Sequence, residues 1–165
     1  MLISVLDIPN QVEAENYTMQ IWDTAGQERF KSLRTPFYRG ADICLLTFAV
    51  DDRKSFENLA MWKKEFLYYA DIQENSPFPF LVLGNKVDVP NRDVSEEAAR
   101  SWCSRNWDIP YFETSAKDST NVDLAFKSAV TRLKEMEEQI DVKPSASNTI
   151  DLDKKGRGGK GGCCS

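Results

Sequence analysis

Ile43-Cys44-Leu45-Leu46-Thr47-Phe48-Ala49-Val50 is an almost unbroken apolar run, and Phe78-Pro79-Phe80-Leu81-Val82-Leu83-Gly84 is a second. Runs of this length without polar alternation describe strands covered by helices on both faces, as in a parallel sheet. The sequence around them supports that reading. Ser55 is placed to cap a helix in which Phe56, Leu59, Met61, Phe66 and Leu67 form a broad apolar stripe. After the second run, Ser95 precedes Glu96 and Glu97, acids that favour a helix N-terminus, with Ala98/Trp102 and Ala99/Cys103 paired one turn apart behind them. Tyr111 to Ala116 reads as one more strand, and the spacing of Val122, Phe126, Ala129 and Leu133 predicts a last amphipathic helix to about Glu138. Upstream, Tyr17, Met19 and Ile21 alternate with Thr18, Gln20 and Trp22 as far as Asp23, the period-two mark of a strand. Strands alternating with helices in this way give the α/β class, with a doubly wound and mostly parallel sheet.

The 165 residues, 41% hydrophobic and 28% charged, fit one globular domain and a tail. We divide them at residues 1–139 and 140–165, because from Asp141 onward Pro, Ser, Asn, Gly and Lys dominate and periodicity is lost, the composition of a disordered segment. No internal repeat is visible. Histidine is absent, which excludes imidazole-based triads and His-ligated zinc. The net charge of −5 conceals an asymmetry: Lys154, Lys155, Arg157 and Lys160 give the last twelve residues +4, so residues 1–153 carry −9. An acidic body argues against nucleic acid as a partner, whereas the basic end suits an anionic surface. Cys44 and Cys103 lie within periodic segments and Cys163 and Cys164 at the terminus, a layout unlike a secreted disulfide framework, so a reducing compartment is expected. No apolar run approaches the ~20 residues that span a bilayer, and Met1 to Ile8 lacks the basic start of a signal peptide.

Three polar segments fall just after three of the expected strands, the edge at which open α/β sheets bind ligands. They are Asp23-Thr24-Ala25-Gly26-Gln27, Asn85-Lys86-Val87-Asp88 and Ser115-Ala116-Lys117. Each alone is a weak signal; read blandly, the second is a polar loop and the third a helix cap. In that order and at those strand ends they form the nucleotide-site pattern of small GTPases. From Tyr17 to about Lys134 the chain resembles a Rab GTPase, through WDTAGQERF (Trp22 to Phe30), FYRGAD (Phe37 to Asp42) and YFETSAKD (Tyr111 to Asp118). RTPFYRG, LLTFAVDD and WKKEFLYYAD look most like the Rab nine subfamily, with Rab seven as the near neighbour.

The chemistry of these segments suits a guanine nucleotide. Guanine presents donors at N1 and N2 that one carboxylate accepts together and adenine lacks, the role expected of Asp88. Asn85 can bond the opposite edge of the base, the backbone N–H near Ala116 can meet O6, and the stems of Lys86 and Lys117 can cover the base faces. Charge-assisted bonds of this kind contribute about 1.5–3 kcal/mol each, so a base that leaves the carboxylate unpaired is rejected. The resemblance further implies GTP/GDP with Mg²⁺ held through water by Asp23, a γ-phosphate contact from the N–H of Gly26, and a catalytic Gln27 that orients the attacking water. The loop from Gln27 to about Arg39 is then ordered by GTP and released by GDP. Phe30, Leu33, Phe37 and Tyr38 in this loop read either as partner-facing residues or, for Phe37 and Tyr38, as packing against a neighbouring helix.

The resemblance also calls for Gly-x-x-x-x-Gly-Lys-Ser/Thr on a first strand–helix turn and for a first-switch threonine, and these 165 residues contain neither. Gly156 to Gly162 follows no strand and reads as a linker. The chain thus reads as the C-terminal part of a Rab, a shortened product or an incomplete gene model. It is expected to bind GTP more weakly than intact relatives and to hydrolyse it negligibly; a nucleotide-deficient, partner-binding or membrane module is the alternative. In the resembled fold the first strand is central, so its absence strands backbone groups at about 1–3 kcal/mol each. Leu2, Ile3, Val5, Leu6 and Ile8 are expected to pair antiparallel with Tyr17 to Trp22 across a turn near Glu13 to Asn16. This is preferred to a replacement central strand, because a hairpin needs only a short connection.

Cys163 and Cys164 on a Gly-rich linker resemble the Rab double prenylation site, two lipids anchoring where one is marginal. Lys154 to Lys160 add attraction to anionic lipid. Ile150 and Leu152 resemble the hook by which Rabs engage their escort protein; the bland reading is a solvated tail. By resemblance the partners are Rab effectors, the escort protein, the dissociation inhibitor and membrane through geranylgeranyl groups. The expected setting is the cytoplasmic face of late endosomes and the trans-Golgi network, in vesicle transport between the two, or the cytosol when held by the inhibitor.

Overall fold

The architecture is built around one strand, β4 (Phe80–Asn85), in a computed structural model that describes residues 5–12, 15–24 and 38–141. β4 pairs in parallel with β3 (Cys44–Ala49) on one side and β5 (Tyr111–Glu113) on the other. Its first five residues are all buried, as an interior strand of a parallel sheet must be. Alternation divides them between two cores. Phe80 and Val82 join Leu46, Phe48 and Val50 beneath α2 (Leu59–Ala70) and α3 (Glu96–Arg105), which contribute Leu59, Phe66, Leu67, Ala99 and Cys103. Leu81 and Leu83 meet Ala125 and Ala129 of α4 (Val122–Asp141) on the opposite face. Helices therefore cover both faces, and the sheet is doubly wound. Burying a leucine such as Leu81, which is 0% exposed, contributes about 1.5–3 kcal/mol.

The upstream segment forms a hairpin, as the short connection favours. β1 (Val5–Val12) runs antiparallel to β2 (Glu15–Trp22), with Val5 opposite Trp22 and Val12 opposite Glu15. Pro9 sits within β1, where its missing N–H is tolerated in a two-stranded ribbon but would interrupt a central strand. The hairpin is a sheet of its own and comes alongside α4. Among the described residues the outer edge of β3 has no strand partner. Leu2 and Ile3 lie outside the described residues.

Two details of the expected helix after β3 are corrected. Its cap is Asp52, whose carboxylate accepts from the N–H of Lys54 at 2.9 Å and of Ser55 at 3.2 Å. Ser55 lies inside the short α1 (Arg53–Glu57), and its hydroxyl accepts from the Ala49 N–H at 3.0 Å, tying the helix to the end of β3. The helix is interrupted at Asn58 before α2, so the helical phase is set by Leu59, Lys63, Phe66 and Leu67, all buried. Met61, two residues from Leu59 and hence on the opposite side of the turn, is 44% exposed. Ser95 caps α3 as expected, accepting from the Ala98 N–H at 3.2 Å. β5 ends at Glu113 rather than Ala116 because Thr114 and Ser115 turn to bond other loops.

Candidate functional site

The carboxyl ends of β4 and β5 are adjacent because Gly84 pairs with Glu113, and the loops that leave the two strands are locked to each other. Gly84 is required by close approach: a Cβ there would lie 2.5 Å from the Tyr111 hydroxyl and 3.1 Å from Cζ of Phe48. One residue on, Asn85 accepts through Oδ1 from the Ala116 N–H at 3.0 Å and from the Thr114 hydroxyl at 3.4 Å. The chain then turns sharply at Lys86, a non-glycine residue at φ 68°, a left-handed conformation costing about 1–2 kcal/mol. The turn is held by the Val87 N–H donating to the Thr114 carbonyl at 3.2 Å.

That reversal brings Asp88 back to the second loop. Its Oδ1 accepts from the Ser115 hydroxyl at 2.7 Å, and its Oδ2 lies 3.7 Å from the Lys117 ammonium. The residue is exposed through its backbone, but its side chain is only 15% exposed. Ser115, fully buried, is the hinge of the corner: its backbone N–H donates to the Thr120 carbonyl at 3.1 Å, and its hydroxyl accepts from the Asp118 N–H at 3.4 Å. Asp118 in turn accepts from the Thr120 hydroxyl at 2.7 Å and the Thr120 N–H at 3.1 Å. The Thr120 hydroxyl foremost, then Ser115, hold its carboxyl below the usual carboxylate range. Lys86 pairs with Asp51, just beyond β3, at 3.3 Å, so the ends of all three parallel strands are joined.

The structure thus brings together six of the expected residues, Asn85, Lys86, Asp88, Ser115, Ala116 and Lys117. Chemically the corner offers a hydrogen-bond-oriented amide, a shielded carboxylate and two lysine stems, a set able to hold a flat heterocycle by its edge. Sequence reasoning misses Asp51, Thr114 and Asp118. Thr114 lies within YFETSAKD, and Asp51 comes just after the β3 run, but only the contacts reveal their parts.

Asp23 and Thr24 come directly after β2, and no hydrogen bond or ion pair among the described residues joins them to the corner. The exposed Asp23 carboxylate fits a cation that keeps most of its water and takes one or two carboxylates, which is the habit of Mg²⁺. Ala25, Gly26, Gln27, Phe30, Leu33, Phe37, Cys163 and Cys164 lie outside the described residues. Tyr38 takes the packing role: its ring centroid is 5.5 Å from Phe66 and 6.2 Å from Tyr69.

A model of the Ras family matches residues 6–135. The chain is 58% identical over 154 residues to the Ras-related protein Rab-9B of Homo sapiens, an alignment covering 93% of this chain and 76% of that protein. It is 66% identical over 123 residues to the Ras-related protein Rab-9A of Mus musculus, covering 74% and 61% respectively. With the GTP-binding protein yptV5 of Volvox carteri it shares 48% identity over 160 residues, covering 93% and 76%.

Proposed function

This chain belongs to the Ras family as a small GTPase of the Rab type, and from that premise we propose that the corner at Asn85, Asp88 and Ala116 reads the guanine base of GTP and GDP. The observation that carries the proposal is the shielded Asp88 carboxylate, oriented by the Ser115 hydroxyl beside the Asn85–Ala116 bond. A carboxylate held in this way accepts the N1 and N2 donors of guanine together. Adenine leaves it unpaired, at a cost of about 1–3 kcal/mol. Lys86 and Lys117 flank the base with their stems. Mg²⁺, when bound with the nucleotide, neutralises phosphate charge, and Asp23 is the residue that would hold it. We assign the γ-phosphate contact to Gly26 with its neighbours Thr24 and Ala25, and the orientation of the attacking water to Gln27.

In the same reading the two nucleotide states present different surfaces to effectors, and the cycle serves transport between late endosomes and the trans-Golgi network. Cys163 and Cys164 carry geranylgeranyl groups, while Ile150 and Leu152 engage the escort protein and the dissociation inhibitor covers the lipids in the cytosol. The nucleotide reading is tested by equilibrium titration of the chain with GDP and ADP. Binding at least ten-fold tighter for GDP, lost in Asp88→Asn, is the expected result. Equal affinities in the unaltered chain would remove Asp88 from that role.

A further inference from the structure

At the opposite end of the sheet, where β4 begins and β5 is entered, lies a cleft of about 250 Å³ lined by Phe78, Phe80, Trp107, Ile109, Arg132 and Met136. Its chemistry is mixed. Phe78 and Phe80 stack edge-on with centroids 5.2 Å apart, and Trp107 lies 6.1 Å from Phe80 on a turn where both Trp107 and Asp108 have positive φ. The Lys63 ammonium sits 3.7 Å from the Trp107 ring centroid. Arg132 Nε is buried with no hydrogen-bond partner among the described residues, and its Nη1 reaches Glu135 only at 3.9 Å. The Arg132 side chain is 40% exposed, so the outer nitrogens of its guanidinium, held among the described residues only by the long Glu135 contact, stand at the rim of an aromatic-lined cleft, a pairing that suits a ligand that is apolar with an adjoining carboxylate.

We propose that the cleft is filled in cis by the segment Ile150-Asp151-Leu152-Asp153 of the chain's own C-terminal end, the carboxylates meeting Arg132. Three observations select this occupant. Beyond Val142, Ile150 and Leu152 are the only large aliphatic residues up to Ser165, and each is followed by an aspartate. Arg132 and Met136 both belong to α4, whose end at Asp141 is where the described chain stops. The reach is also right. At 1.5 Å per residue Met136 and Arg132 lie about 8 and 14 Å back along the helix. Nine residues separate Asp141 from Ile150, and a flexible chain of nine residues in general spans about 15–18 Å. A tether whose span matches the separation gives an effective concentration in the millimolar range, so a contact too weak to persist between molecules is occupied within one. Docking covers Ile150 and Leu152 and draws the terminal cysteines toward the body of the domain. That is a form of regulation distinct from the nucleotide state and independent of it.

The test compares amide and side-chain NMR spectra of the full chain with those of Ile150→Ser/Leu152→Ser, under reducing conditions. The Trp107 indole and Met136 methyl resonances are expected to differ between the two, by an amount unchanged over a twenty-fold dilution. Arg132→Gln, with helicity retained, is expected to remove most of that difference. A synthetic peptide of residues 147–155 should bind the double-serine chain about ten-fold more tightly than the unaltered chain, whose cleft is already occupied. Coincident Trp107 and Met136 resonances in the two folded chains overturn the proposal. So does a difference that fades on dilution, which assigns the contact to a second copy, or equal affinity of both chains for the peptide.

Discussion

The two ends of β4 are about 17 Å apart and have opposite characters. At the carboxyl end, Asn85 opens a polar corner in which hydrogen bonds between loops fix the direction of a carboxylate and an amide. At the amino end, Phe80 opens an aromatic cluster with Phe66, Phe78 and Trp107. The difference teaches how a parallel sheet divides its work. Strand ends that point the same way leave one rim for loops that bind and the other for packing that holds the layers together. Both rims contain left-handed non-glycine residues, Lys86 at one and Trp107 with Asp108 at the other. At the first rim the strain re-aims polar groups, whereas at the second it seats a large ring against Lys63.

Substitutions at the two rims should separate stability from binding. The largest effect is expected for Phe80→Ala, which empties the aromatic end and should lower unfolding free energy by about 3–5 kcal/mol in urea denaturation. A loss below about 1 kcal/mol would show that the cluster merely covers the sheet. Asp88→Asn should reverse the pattern, weakening GDP binding about 10–100-fold while moving stability by no more than about 1 kcal/mol. If it unfolds the chain as strongly as Phe80→Ala does, the division between the rims fails.

Gly84→Ala tests the strand between them. Its methyl would press on the Tyr111 hydroxyl and Phe48, with an expected cost of about 1–3 kcal/mol. Adding Tyr111→Phe removes the closest atom and should recover part of the loss; no recovery would place the clash at the two ring carbons that remain, Cζ of Phe48 and Cε2 of residue 111, each 3.1 Å from the added methyl. The smallest effect belongs to neither rim: Ser95→Ala removes the cap of α3 and should cost about 1 kcal/mol, read as a shift in thermal midpoint with GDP binding unchanged.

Much of the fold was legible because burial on two faces writes itself as unbroken apolar runs, and the residues of β3 and β4 carry that mark within a residue or two. The break at Asn58 was not legible. Asp52 and Ser55 are both good caps, and the choice turned on Ser55 being drawn to the backbone of Ala49. For the same reason a lysine, Lys63, took the buried position that a periodic reading gave to Met61, its ammonium meeting Asn106 and the Trp107 ring. At the site, Asn85, Asp88 and Lys117 stood out as residue types at strand ends. Ser115 as the group that orients Asp88, and Asp51 as the partner of Lys86, are long-range contacts that no local pattern encodes.

The sequence by itself determined that this protein is an α/β layer of helices and buried strands with polar segments at the strand ends, because periodicity and burial are local properties of residue type. Only the tertiary structure decided which loops meet. The turn at Lys86, the burial of Ser115 and the close approach of Tyr111 to Gly84 arise from backbone conformation and packing, which depend on neighbours far away in the chain.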